Sequence, residues 1–105
     1  MNIEKVLKHI FSYHWPSDEQ LALFANERHG FGGDDASYGV IYPNDLDKYD
    51  REVTGEHIPD GKPEIYSMAF DVESLHINEE LYLRELKFHL ALSGKGSLIP
   101  NAKNV

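Results

Sequence analysis

The chain contains no cysteine, so neither a disulfide nor a thiolate metal site can staple it, and a reducing compartment is the natural expectation. No stretch approaches the roughly 18 consecutive apolar residues that a membrane-spanning helix needs. The first residues, Met1 to Phe11, interleave charge with apolar side chains and offer no small-residue cleavage site, so they do not read as a signal peptide. Basic residues are scarce: ten Lys and Arg stand against eighteen Asp and Glu, a formal net charge of −8. That balance disfavours phosphate backbones and anionic lipid and favours a basic partner. The sequence therefore points to a cytoplasmic chain that binds neither nucleic acid nor membrane.

What is present is enough for one core. Over 105 residues, 41% are hydrophobic and 27% charged, the composition of an ordinary globular domain of this size. Ile3, Val6, Leu7, Ile10 and Phe11 follow the spacing of an amphipathic helix, with Glu4, Lys5, Lys8 and His9 on the opposite face. Trp15-Pro16 ends it, because the residue before proline is driven out of the helical region. Ser17 and Gln20 form a capping box for a second helix that turns Leu21, Phe24 and Ala25 inward and stops at Gly30. The segment from Gly30 to Asp35 reads as a loop, and Tyr38 to Tyr42 as a short strand closed by Pro43 and Asn44.

Further on, Val53 to Ile58 and Glu64 to Asp71 flank Pro59-Asp60-Gly61, a strong hairpin signal. Period two places Tyr66, Met68 and Phe70 on one face, and Leu75 and Ile77 continue a further strand after a turn near Asp71 to Glu73. Asn78 is a good N-cap, Glu79 and Glu80 suit the positive end of a helix dipole, and Gly94 supplies a stop, which predicts a helix over 79–93. This helix is apolar on two sides, with Leu83, Leu86 and Leu90 nearly opposite Leu81, Phe88 and Leu92. Either the N-terminal hairpin covers the second side or another chain does. The expected fold is thus α+β, with an N-terminal helical hairpin, an antiparallel meander of three or four strands and a C-terminal helix packed on the sheet. Residues 1–94 form the single domain and 95–105 a mobile tail.

Sequence patterns for catalysis are weak. Gly30, Gly32 and Gly33 lack the Gly-Lys-Ser/Thr of a phosphate loop and precede Asp34 and Asp35, which would repel phosphate. Counted as a calcium loop from Asp45, the run places Asp47 third, Tyr49 fifth, Asp50 where glycine belongs and Glu56 twelfth, so it reads as a solvated acidic loop instead. Among six histidines no pair has the H-x-x-x-H spacing of a helical metal site, and no serine sits in a G-x-S-x-G elbow. We therefore expect no catalytic, cofactor or metal residue. A hydrolase or nuclease assembled through the fold, with His57 or His14 beside Asp34 or Asp35 around a divalent metal, is the enzymatic alternative. A homodimer built on the two-sided helix is the structural one.

Charge distribution is the most informative feature. Between residues 34 and 52, Asp34, Asp35, Asp45, Asp47, Asp50 and Glu52 face only Lys48 and Arg51, a net −4, and Tyr38, Tyr42 and Tyr49 are interleaved with them. Carboxylates steer a basic partner and tyrosines supply contact area at low entropic cost, so these nine residues form a candidate partner-binding surface. The other reading is a solvated loop whose tyrosines pack inward.

The segments Trp15-Pro16-Ser17-Asp18-Glu19-Gln20, Gly30-Phe31-Gly32-Gly33-Asp34-Asp35 and Ile58-Pro59-Asp60-Gly61-Lys62 resemble members of the immunity proteins of bacterial toxin systems, particularly those of contact-dependent growth inhibition. The resemblance spans most of the chain without a diagnostic motif, so it assigns no residue a role. It implies a protein that binds the C-terminal domain of a cognate toxin, a nuclease acting in the cytosol, and blocks its basic active-site cleft.

Overall fold

Asn2 opens the first helix. Its side chain accepts from the Lys5 backbone N–H at 3.1 Å, and α1 (Ile3–Phe11) carries Glu4 in its first turn and Lys8 and His9 in its last, each matched to the helix dipole. The computed structural model describes residues 2–13, 15–33, 37–46, 58–59 and 61–99. Val6, Leu7, Ile10 and Phe11 are buried, as their spacing requires. The second helix, α2 (Asp18–Glu27), has the expected reciprocal box: Ser17 Oγ accepts from Gln20 N at 3.2 Å, and Gln20 Oε1 from Ser17 N at 3.0 Å. It ends earlier than Gly30. Arg28 takes the left-handed conformation (φ 55°), and His29 N donates back to the Phe24 carbonyl at 2.8 Å. Gly30 is needed elsewhere, because a Cβ there would run into the Val40 carbonyl oxygen of the neighbouring strand.

Four antiparallel strands follow in sequential order, β1 (Phe31–Gly32), β2 (Tyr38–Ile41), β3 (Glu64–Ser67) and β4 (Val72–His76). The expected loop over 30–35 is therefore corrected at Phe31 and Gly32, which pair with Val40 and Gly39. A two-residue strand defined by its partner leaves no periodic trace in its own sequence. In β2 and β3 the register Tyr38↔Ser67 and Val40↔Ile65 turns these four residues inward. On the outer face Tyr66 lies opposite Gly39 and its ring fills the space a side chain there would take.

Both edges of β3 are taken, by β2 and β4, so its neighbour is not the expected strand at 53–58, of which only Ile58 lies within the described residues. The turn itself exists: Lys62 N donates to the Pro59 carbonyl at 3.1 Å and Gly61 has φ 73°. The strand expected to reach Asp71 stops at Ser67, where Met68–Phe70 winds into a 3-10 turn closed by Asp71 in the left-handed region. Met68 and Phe70 consequently do not extend the face that Tyr66 begins.

The last helix, α3 (Glu79–Ala91), begins at Asn78, but the Asn78 side chain caps nothing; the Glu79 N–H is met instead by the Gly61 carbonyl at 2.9 Å. Tyr82, Leu86 and Leu90 enter one core cluster with Val6, Leu7 and Ile10 of α1 and Val40 and Ile65 of the sheet. Beyond Gly94 (φ 72°) the chain stays on the fold. Ile99 is 1% exposed within the core, the Leu98 carbonyl accepts from Asn26 Nδ2 at 3.0 Å, and Lys95 pairs with Glu19 at 3.0 Å. Residues 95–99, expected in a mobile tail, thus pack on the fold, and residues 100–105 lie outside the described residues. The architecture is α+β as anticipated. No helix among the described residues is long and apolar enough to cross a membrane.

Candidate protein-binding surface

The acidic stretch is divided by the strand that runs through it. Gly33 and Ser37, which flank Asp34 and Asp35, sit at the start of β2, whereas Asp45 sits past its end. At about 3.3 Å per residue, the five steps from Ser37 to Tyr42 span roughly 16 Å. Asp34, Asp35, Asp47, Tyr49, Asp50 and Glu52 themselves lie outside the described residues.

Tyr38 and Tyr42 are corrected from partner contacts to core. Tyr38 is 5% exposed, stacks on Tyr13 with ring centroids 3.7 Å apart, and donates its hydroxyl to the Trp15 carbonyl at 2.6 Å. It thereby ties the loop after α1 to the sheet. Tyr42, 2% exposed, meets Tyr82 edge-on at 6.0 Å. Its hydroxyl has no hydrogen-bond partner among the described residues, and burial, with the nearby Glu79 carboxylate adding to it, pushes its pKa well up. Tyr82 is raised too, by burial first and by Tyr42 second. The rings the sequence offers as contact area are what hold β2 to the helices.

Asp45 is no free ligand either. Its Oδ2 accepts from Gly30 N at 2.8 Å and from Tyr42 N at 2.7 Å, and its Oδ1 faces His29 Nδ1 at 2.8 Å. One carboxylate thus joins the end of α2, the start of β1 and the end of β2. With its oxygens committed to nitrogen donors, Asp45 is a poor first position for a calcium loop, and no group of three or more His, Asp or Glu among the described residues could hold a metal. The glycines belong to the same construction. Gly33 lies against the Tyr38 ring, and Gly39 lies between Tyr66 and the Phe31 carbonyl. They permit close packing and form no phosphate cradle.

The described histidines also work as local links, at four separate places. His9 meets the Tyr13 hydroxyl at 3.0 Å, His29 meets Asp45, His76 meets Glu64 at 3.1 Å across β3 and β4, and His89 meets Asp18 at 3.3 Å between α3 and α2. His14 and His57, the residues of the enzymatic alternative, lie outside the described residues with Asp34 and Asp35. Near His89, Lys95 bridges Asp18 and Glu19; its bond to Glu19 lowers the Glu19 pKa and raises its own.

A second surface lies on the other side of the molecule's helical layer. The N-terminal hairpin leaves part of the second side of α3 uncovered: Leu81 is half-buried, but Phe88 is 65% and Leu92 68% exposed. One turn apart, they border a groove of about 310 Å³ between α1 and α3, walled by Asn2, Glu4, Lys5 and Lys8 on one side and Glu85 and His89 on the other. The sequence marked the apolar pair but not its mixed-charge walls, whose only trace is the i, i+3 spacing of Lys5 and Lys8 on the polar face of α1.

Comparison of the chain with protein-family models, curated proteins and solved structures finds no match.

Proposed function

We propose that this chain is an immunity protein: a binding module that seats on the C-terminal domain of a bacterial toxin, a nuclease, and blocks its basic active-site cleft in the cytoplasm. The observation that carries this reading is the concentration of negative charge in one stretch of the chain. Half the net charge of −8 falls between residues 34 and 52. Asp45, within that stretch, is held by Gly30, Tyr42 and His29. A nuclease must present positive potential to its substrate, and an inhibitor whose carboxylates stand where phosphates would stand exploits that field. The inward tyrosines narrow the contacting set to the acids at 34, 35, 47, 50 and 52 with Tyr49.

The test is binding of the full chain to the product of the adjacent gene, followed by growth rescue when the C-terminal domain of that product is expressed. Tight one-to-one binding with rescue is the expected result. The combined Asp47→Lys, Asp50→Lys and Glu52→Lys variant is expected to weaken binding at least about tenfold and to flatten its salt dependence, because steering charges act through the screened field. Absence of binding and of rescue overturns the reading. An unchanged affinity and salt slope in the variant moves the contact away from this segment.

A further inference from the structure

We infer that the pocket beside the turn after β3 takes an arginine side chain from a basic protein partner. The pocket holds about 300 Å³ and is lined by Tyr66, Met68, Asp71, Val72 and Glu73. It exists because β3 stops early. Met68–Phe70 winds into the 3-10 turn, Asp71 takes φ 56°, and the chain returns as β4 with Val72 opposite Ser67, which brings two carboxylates back beside Tyr66. Met68 is left 72% exposed at the pocket wall.

The lining carries charge of one sign, and that selects the occupant. Asp18, Asp45, Glu64 and Glu79 each face a nitrogen of the fold, whereas the Asp71 and Glu73 side chains have no hydrogen-bond or ion-pair partner among the described residues. An anionic group is repelled here, and so is an acidic partner as a whole by the net charge of −8. A bare calcium ion would need six or more oxygens, and beside the two carboxylates it meets a phenol ring, a thioether and a valine. The α1–α3 groove, with both signs on its walls, makes no such selection.

Arginine answers both halves of the lining. Its methylene stem suits Met68 and Val72, and its planar guanidinium suits two carboxylates and the face of Tyr66. That ring is a fixed wall, since its hydroxyl end lies over Gly39 where a side chain would otherwise stand. The volume is at the low end for small-molecule sites, and with Met68 so exposed the pocket encloses one side chain projecting from a larger surface better than a whole small molecule. The inference does not rest on the toxin reading: it uses residues outside 34–52, and any basic protein can supply the arginine.

The chain has two methionines, so the Met68 methyl group, assigned with Met68→Leu, reports on the pocket by NMR of the full chain. The probe is a Gly-Gly-Arg-Gly-Gly peptide with blocked ends, compared at matched ionic strength with the same peptide carrying neutral citrulline and with free arginine. The arginine peptide is expected to shift the methyl saturably with a Kd on the order of 10 mM, as one side chain provides, and the citrulline peptide is not. Free arginine brings its own carboxylate toward Asp71 and Glu73 and is expected to bind at least about threefold more weakly. The double variant Asp71→Asn, Glu73→Gln is expected to lose the saturable shift and keep its melting temperature, because asparagine also accepts the left-handed conformation. No saturation by the arginine peptide, equal saturation by the citrulline peptide, or a shift that survives in the double variant overturns the inference. Tighter binding of free arginine overturns it as well, by giving the pocket to the amino acid.

Discussion

The segment from Gly30 to Leu46 has the composition of a surface loop, yet its described residues include Phe31, Tyr38, Val40 and Tyr42 of the core; the outer side of α3 has the composition of an interior and faces solvent. In the first, glycines, tyrosines and an aspartate are drawn together by Gly30 beneath the Val40 carbonyl, Tyr38 against Tyr13 and Asp45 across three donors. In the second, Phe88 and Leu92 continue an apolar pattern past the point where the fold has anything left to cover it. Residue type sets what burial is worth. Whether a neighbour arrives is decided by tertiary geometry, and the two regions show the decision going opposite ways.

The sharpest way to break this contrast is at its tightest contact. Gly30→Ala places a methyl group into backbone, the Val40 carbonyl, and near Asp45 Oδ2, where nothing flexible can yield. It is expected to destabilise by about 3 kcal/mol or more in chemical denaturation. A loss below about 1 kcal/mol would mean that this segment is as loose as its composition reads. Next is Asp45→Ala, which leaves the Gly30 and Tyr42 N–H groups without their acceptor and is expected to cost about 2–3 kcal/mol, with Asp45→Asn recovering part of it.

The smallest effect is expected at Tyr42. Because its hydroxyl is buried without a hydrogen-bond partner among the described residues, Tyr42→Phe should be neutral or stabilising by up to about 1 kcal/mol at pH 7. Its pH signature is more telling. Burial keeps the phenol neutral in the folded state above its ordinary value near 10, so the tyrosine's contribution is complete below that value and lost as pH rises past it. Tyr42→Phe removes that loss, and the variant should unfold at higher pH than the wild type in an alkaline titration. Unchanged alkaline unfolding would place Tyr42 closer to solvent than its packing indicates.

Local signals were legible in proportion to how local their physics is. The Ser17 and Gln20 box, the spacing of Val6, Leu7, Ile10 and Phe11, and Gly94 at φ 72° each act within a few residues, and the sequence reading located them within a residue or two. The pairing of Phe31 with Val40 and the burial of Ile99 were not legible, because each depends on a surface formed by distant residues. Tyrosine was ambiguous for a related reason. Its apolar body and polar tip suit an interface and a core equally, and only the Trp15 carbonyl waiting for Tyr38 distinguishes them. The two-sided pattern of the last helix is legible too, but an N-terminal hairpin that covers its second side would need more reach than the nine and ten residues of α1 and α2 possess.

The position of Trp15, the only tryptophan in the chain, turns this architecture into its own optical gauge. Its indole is partly exposed and rests against Phe24 of α2 and Phe31 of β1, at 6.1 and 6.3 Å, while its carbonyl receives Tyr38 from β2. The fluorescence of that one ring therefore reads the joint between the helical hairpin and the sheet, without a label. Helical circular dichroism reads each helix whether or not it is docked. A hairpin that lifted from the sheet while keeping its turns would change the emission and leave the ellipticity alone, so the two signals together separate loss of docking from loss of structure.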